Sequence, residues 1–184
     1  MVAEARSSNS PIAAHASGAA AVIMAAKAGM TTIEHGYESS NEALQAMKDS
    51  GVISVPTLAG LEIFLPMKEI LVCTKKTSDF GIKLACGGDT GAFAHSDNVR
   101  EIELMVAAGV PLMEMLTAST LHGWKVCGGD RCGRKFGRFE EGVAADIIAL
   151  DGDPREDICA LRKASFVMKD ARVWKKGGVA VDMG

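Results

Sequence analysis

The stretch TTIEHGYESSNEALQAMKDSG, from Thr31 to Gly51, changes character at a histidine. A β-prone run with Thr32 and Ile33 leads into Glu34-His35-Gly36, and a helix is predicted after it. Ser39 with Glu42 three residues on has the form of a capping box, and Gly51 suits the end of that helix. A titratable ring therefore stands where a strand gives way to a helix.

The same layout continues on both sides. PIAAHASGAAAVIMAAKAG reads as a short strand ending near His15, a Ser17-Gly18 turn and an Ala-rich helix closed by Gly29. Downstream, VISVPT (Val52 to Thr57) is a strand whose end is marked by Pro56. The stretch from Leu58 to Gly81 holds another helix, and IKLACGGD is a fourth strand ending at Asp89. NVREIELMVAAG follows as a helix, with Asn98 and Glu101 as a second capping box, and one more helix is predicted from Pro111 to Cys127. Strand then helix, about four times over, is the signature of right-handed βαβ units and a parallel sheet. After Gly128 the pattern changes to short strands, with turns at Asp151-Gly152 and Gly177-Gly178. The expected organisation is a polar N-terminal segment (1–11), an alternating α/β region (12–128) and a small β-rich tail (129–184).

Composition narrows the function classes. The 184 residues suffice for one ordinary domain, and 48% of them are hydrophobic, which argues against disorder. Net charge is −3 with no basic run, so nucleic acid is not an expected partner. The apolar run GAAAVIMAAKAG is interrupted by Lys27 and too short for a bilayer, so no membrane partner is expected either. Cys73, Cys86, Cys127, Cys132 and Cys159 form no paired framework, and no secretory h-region is visible. Reduced thiols in a cytoplasmic protein are the expectation.

His15, His35 and Asp89 share one placement, at the C-terminal ends of predicted parallel strands. Those ends point to a single face, where βα folds build active sites. Two imidazoles and a carboxylate are ordinary zinc ligands, and three protein ligands leave a position for water, whose pKa zinc lowers to about 7. Taken singly, each has a plainer reading. A loop-edge histidine usually hydrogen-bonds, and Asp89 within GGDTG could stabilise its own turn.

AAHASGAAAVIMAAKAGMTTIEHG, LACGGDTGAF, NVREIELMVAAGVPLMEMLTAST and GRFEEGVAADIIALDGDP, in this order from about Ile12 to Lys176, together resemble the metal-dependent amidohydrolase superfamily. The resemblance is to its imidazolonepropionase-like and prolidase-like branch, which includes fungal ochratoxin amidohydrolases. It implies an α/β fold, the C-terminal half of a TIM-type (β/α)8 barrel over residues 12–128, with a small β-rich appendage entered near Gly142 to Asp146. It also implies that His15 and His35 ligate one metal. Asp89 would bind the other and shuttle the proton of the attacking water. The implied reaction is hydrolysis of an amide or cyclic amide C–N bond in a small molecule such as an N-acyl amino acid or dipeptide-like substrate. The family's centre is binuclear, with Zn2+ or another divalent metal.

The family's His-x-His pair and its bridging lysine have no counterpart among these residues. At most one ion is therefore expected per chain, together with homo-oligomerisation or association through open sheet edges. The alternative is a catalytically incomplete half-barrel acting through a partner. Other motifs carry less. Cys86 replaces the first glycine of a dinucleotide loop in CGGDTG, and Arg134 stands where a P-loop needs lysine. His95 reads as a solvated loop residue and His122 as helix packing.

Overall fold

The computed structural model describes residues 1–181. A short helix, α1 (Val2–Ser7), occupies the segment for which the sequence predicts no element. It is followed by β1 (Ala13–Gly18), α2 (Ala19–Ala28), β2 (Thr32–Glu38), α3 (Asn41–Ser50) and β3 (Ile53–Val55). The three strands pair in parallel in the order β1-β2-β3, with α2 and α3 as the crossovers. Both helices stop at glycines in the left-handed region, Gly29 at φ 81 and Gly51 at φ 69, where a Cβ would be strained.

Some boundaries differ from the sequence expectation. β1 and β2 run past His15 and His35, to Gly18 and Glu38, with the pairing irregular after Ala16. The α3 cap is Ser40, whose hydroxyl accepts the Ala43 amide at 3.2 Å. Ser39 instead donates to the Gly36 carbonyl at 2.8 Å. Of the two adjacent serines, Ser40 caps because its backbone is extended immediately before the first helical residue.

After β3 come α4 (Leu58–Leu61), α5 (Met67–Asp79) and α6 (Val99–Ala107). The predicted fourth strand, Ile82 to Asp89, contracts to one parallel bridge between Ser54 and Leu84. Ser54 donates to the Lys83 carbonyl and accepts from the Ala85 amide, each at 2.9 Å. Beyond that point Cys86 gives its amide to the Ala118 carbonyl at 3.2 Å, so the chain leaves β3. The same bond interrupts the single helix expected from Pro111 to Cys127. With the Ala118 carbonyl engaged elsewhere, the segment divides at Thr120 into α7 (Leu112–Ser119) and α8 (Leu121–Val126).

Two apolar clusters hold these layers together. Val22, Ala26, Ile33, Leu44, Met47 and Ile82 fill the space between the sheet and the first two crossover helices. Leu58, Leu84, Leu104, Met105, Met115 and Ala118 form the second, beneath α4 to α7. All three β3 residues are buried, as befits a parallel strand covered on both faces. Each large aliphatic side chain so buried contributes about 1.5–3 kcal/mol relative to exposure. No helix among the described residues is long and apolar enough to cross a membrane.

The β-rich part begins at β4 (Ile147–Leu150) and continues through β5 (Ala164–Lys169), β6 (Arg172–Lys176) and β7 (Val179–Ala180) as an antiparallel meander. Gly177 and Gly178, at φ 59 and 80, make the last hairpin turn. ASFVMKDARVWKKGG contains a second hairpin turn, at Asp170-Ala171, with φ 51 and 62. Asp146 supports this unusual turn by accepting the Asp170 amide at 2.9 Å, while Arg134 pairs with Asp146 at 2.6 Å and with Asp170 at 2.5 Å.

His122, 8% exposed, donates its Nδ1–H to the Leu84 carbonyl at 2.7 Å and so pins the bridging segment to α8. Replacing it with Ala leaves a cavity and an unpaired carbonyl, and should cost about 3 kcal/mol in chemical denaturation. Burial lowers the His122 pKa from its ordinary 6.5. The unfolded chain therefore binds that proton more readily, and stability should fall as the pH drops through about 6.5. In His122→Phe that slope should be shallower; an unchanged slope would show that His122 titrates normally.

Candidate active site

The three parallel strands and the bridging segment run out along one edge of the sheet, and three residues there, within β2, just after β3 and on the loop beyond the bridge, share a backbone peculiarity. His35 at φ 74, Thr57 at φ 61 and Asp89 at φ 61 are all left-handed without being glycine. Each such residue costs on the order of 1–3 kcal/mol and persists only where its surroundings hold it. Their recurrence at neighbouring strand ends marks this edge as the place where the fold stores strain.

The restraints are identifiable. The His35 amide donates to Thr57 Oγ1 at 3.3 Å, and that hydroxyl donates to the Val55 carbonyl at 3.0 Å. The loop that carries Asp89 fits because it has no Cβ at two positions. A Cβ on Gly87 would lie 2.8 Å from Val55, and one on Gly88 would lie 2.9 Å from the Phe93 ring. Gly87 thus serves close packing of the loop against β3, and Gly88 its packing against Phe93 and Ala59. Gly60 in α4 faces the Gly88 carbonyl in the same way, at 3.0 Å from its ideal Cβ.

Parallel register sets His15 opposite Glu34 and Ala16 opposite His35. Within it, His15 Nδ1 and His35 Nε2 approach to 2.6 Å, with ring centroids 4.8 Å apart. One nitrogen carries the proton that the other accepts. Burial, followed by the charge of His15, lowers the His35 pKa, and Asp89 works in the opposite direction. Glu34 is half-buried, and desolvation raises its pKa, while Thr32 donates to Glu34 Oε1 at 2.6 Å. The sequence assigns Glu34 no role; its position beside His35 is the available signal.

Of the three predicted ligands, the structure brings His15 and His35 together, and Asp89 remains exposed on the following loop. Among the described residues, no group of three His, Cys, Asp or Glu side chains is close enough to hold a metal ion. Asp89 stands on the loop after the Leu84 bridge, where its charge still reaches His35 and Glu34. The donor chemistry of the facing imidazoles fits part of a divalent-metal site. Zn–N bonds of about 2.0–2.1 Å in a tetrahedral site hold two nitrogens about 3.3 Å apart, so the rings would have to part by about 0.7 Å. His35 Nδ1 is buried with no hydrogen-bond partner, whereas metal-bound histidines ordinarily have that second nitrogen paired. The residues present thus fit two positions of a metal site and do not complete it. His95 is exposed on the loop beyond Asp89.

Glu101 is the other functional side chain that the sequence did not reveal. Asn98 makes no side-chain cap, and Glu101, 1% exposed, accepts the Ala59 amide on Oε2 at 2.7 Å. Burial raises its pKa to about 7, against the opposing effect of the Ala59, Leu58 and Thr57 amides. Its spacing with Leu104 and Met105, on the apolar stripe of α6, was the signal that it points inward.

Comparison with known proteins gives a consistent result. The description "Amidohydrolase family" matches residues 1–180. Ochratoxinase of Aspergillus niger is 29% identical over 195 residues, covering 96% of this chain and 39% of that protein. Imidazolonepropionase of Treponema denticola is 28% identical over 163 residues, covering 88% of this chain and 38% of that protein. Among solved structures, a Xaa-Pro dipeptidase with methionine bound in its active site superposes with a TM-score of 0.86 at 32% identity, over 95% of this chain and 47% of that one. The A. niger ochratoxinase structure gives 0.84 at 26% identity, over 97% and 45%. The chain therefore spans less than half the length of these relatives. Its architecture is a TIM-barrel-related α/β fold.

If Asp89 is strained for the sake of its carboxylate, Asp89→Gly should raise stability by about 1 kcal/mol in thermal or denaturant unfolding. If the carboxylate merely holds its own turn, the same substitution should lower stability.

Proposed function

This chain belongs to the Amidohydrolase family, and from that membership we propose that it takes part in the hydrolysis of amide C–N bonds. The proposed substrates are small molecules of the N-acyl amino acid or dipeptide class. The observation that carries this reading is the His15 Nδ1 to His35 Nε2 approach of 2.6 Å at the strained strand edge. Two ring nitrogens aimed at one point serve either a shared proton or a shared cation.

In this proposal His15 and His35 would hold one divalent ion, zinc or a similar metal, which would supply Lewis acidity toward a carbonyl and a water nucleophilic near neutral pH. Asp89 Oδ accepts the proton of the attacking water and delivers it to the departing amine nitrogen, which leaves as a neutral amine. Two features of the chain favour Asp89 for that work: it is exposed, and its charge is felt by both His35 and Glu34. Burial shifts His35 toward its neutral form, in which its nitrogen can donate an electron pair.

A second reading concerns assembly. Among the described residues β1 has a neighbour on one side only, and the Leu84 segment contributes a single bridge at the other edge. We propose that this α/β layer is the second half of a (β/α)8 barrel. Its open edges would be satisfied by association with a second copy or a complementary chain, since unpaired parallel edges invite pairing.

Metal analysis of the purified chain should find at most one zinc, lost in a His15→Ala/His35→Ala double variant. Retention of zinc by the double variant would remove the histidine pair from the proposal. In an assay on N-acyl amino acids, with or without an added partner, Asp89→Asn should lower turnover by about 10²–10⁴-fold. Turnover equal to that of the parent would exclude Asp89 as the proton carrier. Light scattering should show a species larger than the monomer.

A further inference from the structure

A carboxylate on the apolar face of a helix needs an explanation, because burial of a charge is expensive unless it is fully partnered. Glu101 is buried among Leu104, Met105 and the α4 backbone, and its Oε1 has no hydrogen-bond partner. A methionine there would fill the same space without that cost. What the carboxylate does is visible in α4. This helix has only four residues, and Thr57, its N-cap, makes no side-chain cap bond. The hydroxyl that would ordinarily cap α4 is turned the other way, toward the Val55 carbonyl and the His35 amide. Glu101, from 42 residues further along the chain, takes over the cap by accepting the Ala59 amide, with the Leu58 and Thr57 amides also facing it.

We infer that Glu101 is a positioning residue for the histidine pair: by capping α4 from outside, it frees the Thr57 hydroxyl to hold the left-handed His35 in the geometry that faces His15. The path runs from Glu101 Oε2 to the Ala59 amide, through the β3–α4 turn at Thr57, and from Thr57 Oγ1 to the His35 amide. Each contact joins elements distant in sequence, and His35 and Thr57 share the same strained backbone region. Without the external cap, Thr57 Oγ1 has two competing uses, the α4 amides and His35. The thiol of Cys86, whose pKa is raised mainly by burial and further by Glu101, is the ionisable side chain whose titration the Glu101 charge influences. The inference rests on the reading of His15 and His35 as a working pair, but not on any activity of the chain.

The test compares Glu101→Gln, which keeps an acceptor oxygen, with Glu101→Met, which keeps volume and removes it. The first readout is the NMR signal of the proton between His15 and His35, with the ring nitrogen shifts, in the metal-free full chain. Gln should preserve the signal; Met should broaden or remove it while circular dichroism stays that of the parent. The second readout is zinc affinity by calorimetry, expected to fall about 10- to 100-fold in Met and to stay within twofold in Gln. Should Met fail to fold, Thr57→Val exchanges the hydroxyl for a methyl and should give the same loss of the shared-proton signal. A folded Met or Val variant with the parental ring signals would overturn the inference. Absence of zinc binding in the parent would count against the proposed metal function alone, because the ring signals would still decide the role of Glu101.

Discussion

One hydroxyl ties the candidate site to the fold. Thr57 Oγ1 accepts the His35 amide proton and gives its own to the Val55 carbonyl, so the ends of β2 and β3 are joined at their edge. Parallel strands do not share a tight turn, and nothing in their ladder fixes the chain once it leaves the sheet. At this edge the backbone is left-handed at His35 within β2 and at Thr57 just after β3, with Asp89 in the same conformation on the loop beyond. The sheet supplies direction, and the side-chain and packing contacts supply orientation.

Those contacts come from parts of the chain that lie far apart in sequence. Glu101 on α6 caps α4, the Gly87-Gly88 loop packs on Val55 and Phe93, and Cys86 is held by the Ala118 carbonyl. The interruption between α7 and α8 belongs to the same construction, because the carbonyl that would continue the helix is used to terminate the bridging segment. His122 completes it from the other side by anchoring Leu84. The strain at the edge is thus distributed over the second apolar cluster, and does not rest on the loops alone.

The tail forms a sheet of its own and is tied to the α/β region by charge. Arg162 reaches Asp97 at 2.6 Å and Glu103 at 2.5 Å, linking the segment before β5 to the Asp89 loop and to α6. Arg100 joins Glu103 to Glu62 at the end of α4. These pairs are partly exposed, so each one singly contributes little, but as a connected set they restrain the loop that carries Asp89. The tail therefore meets the candidate site through α6, the helix that also bears Glu101.

The alternation of strand and helix, the glycine ends of α2 and α3 and the location of His15 and His35 in the first two parallel strands were legible in the sequence. Each follows from local rules of periodicity, capping and turn chemistry that act within a few residues. The family was legible too, because its motifs keep their order along the chain. Local rules failed where two local partners compete or where the partner is remote. Ser39 and Ser40 compete for one cap, and only the backbone decides between them. Glu101 follows Asn98 at capping-box spacing, yet its side chain is claimed by an amide 42 residues away. The division of a continuous helix at Thr120, the contraction of the fourth strand and the turn within ASFVMKDARVWKKGG all depend on contacts with distant segments. The 2.6 Å meeting of two imidazoles belongs to the same class, since it needs both the parallel pairing of β1 with β2 and the left-handed backbone at His35, which the remote Thr57 hydroxyl holds.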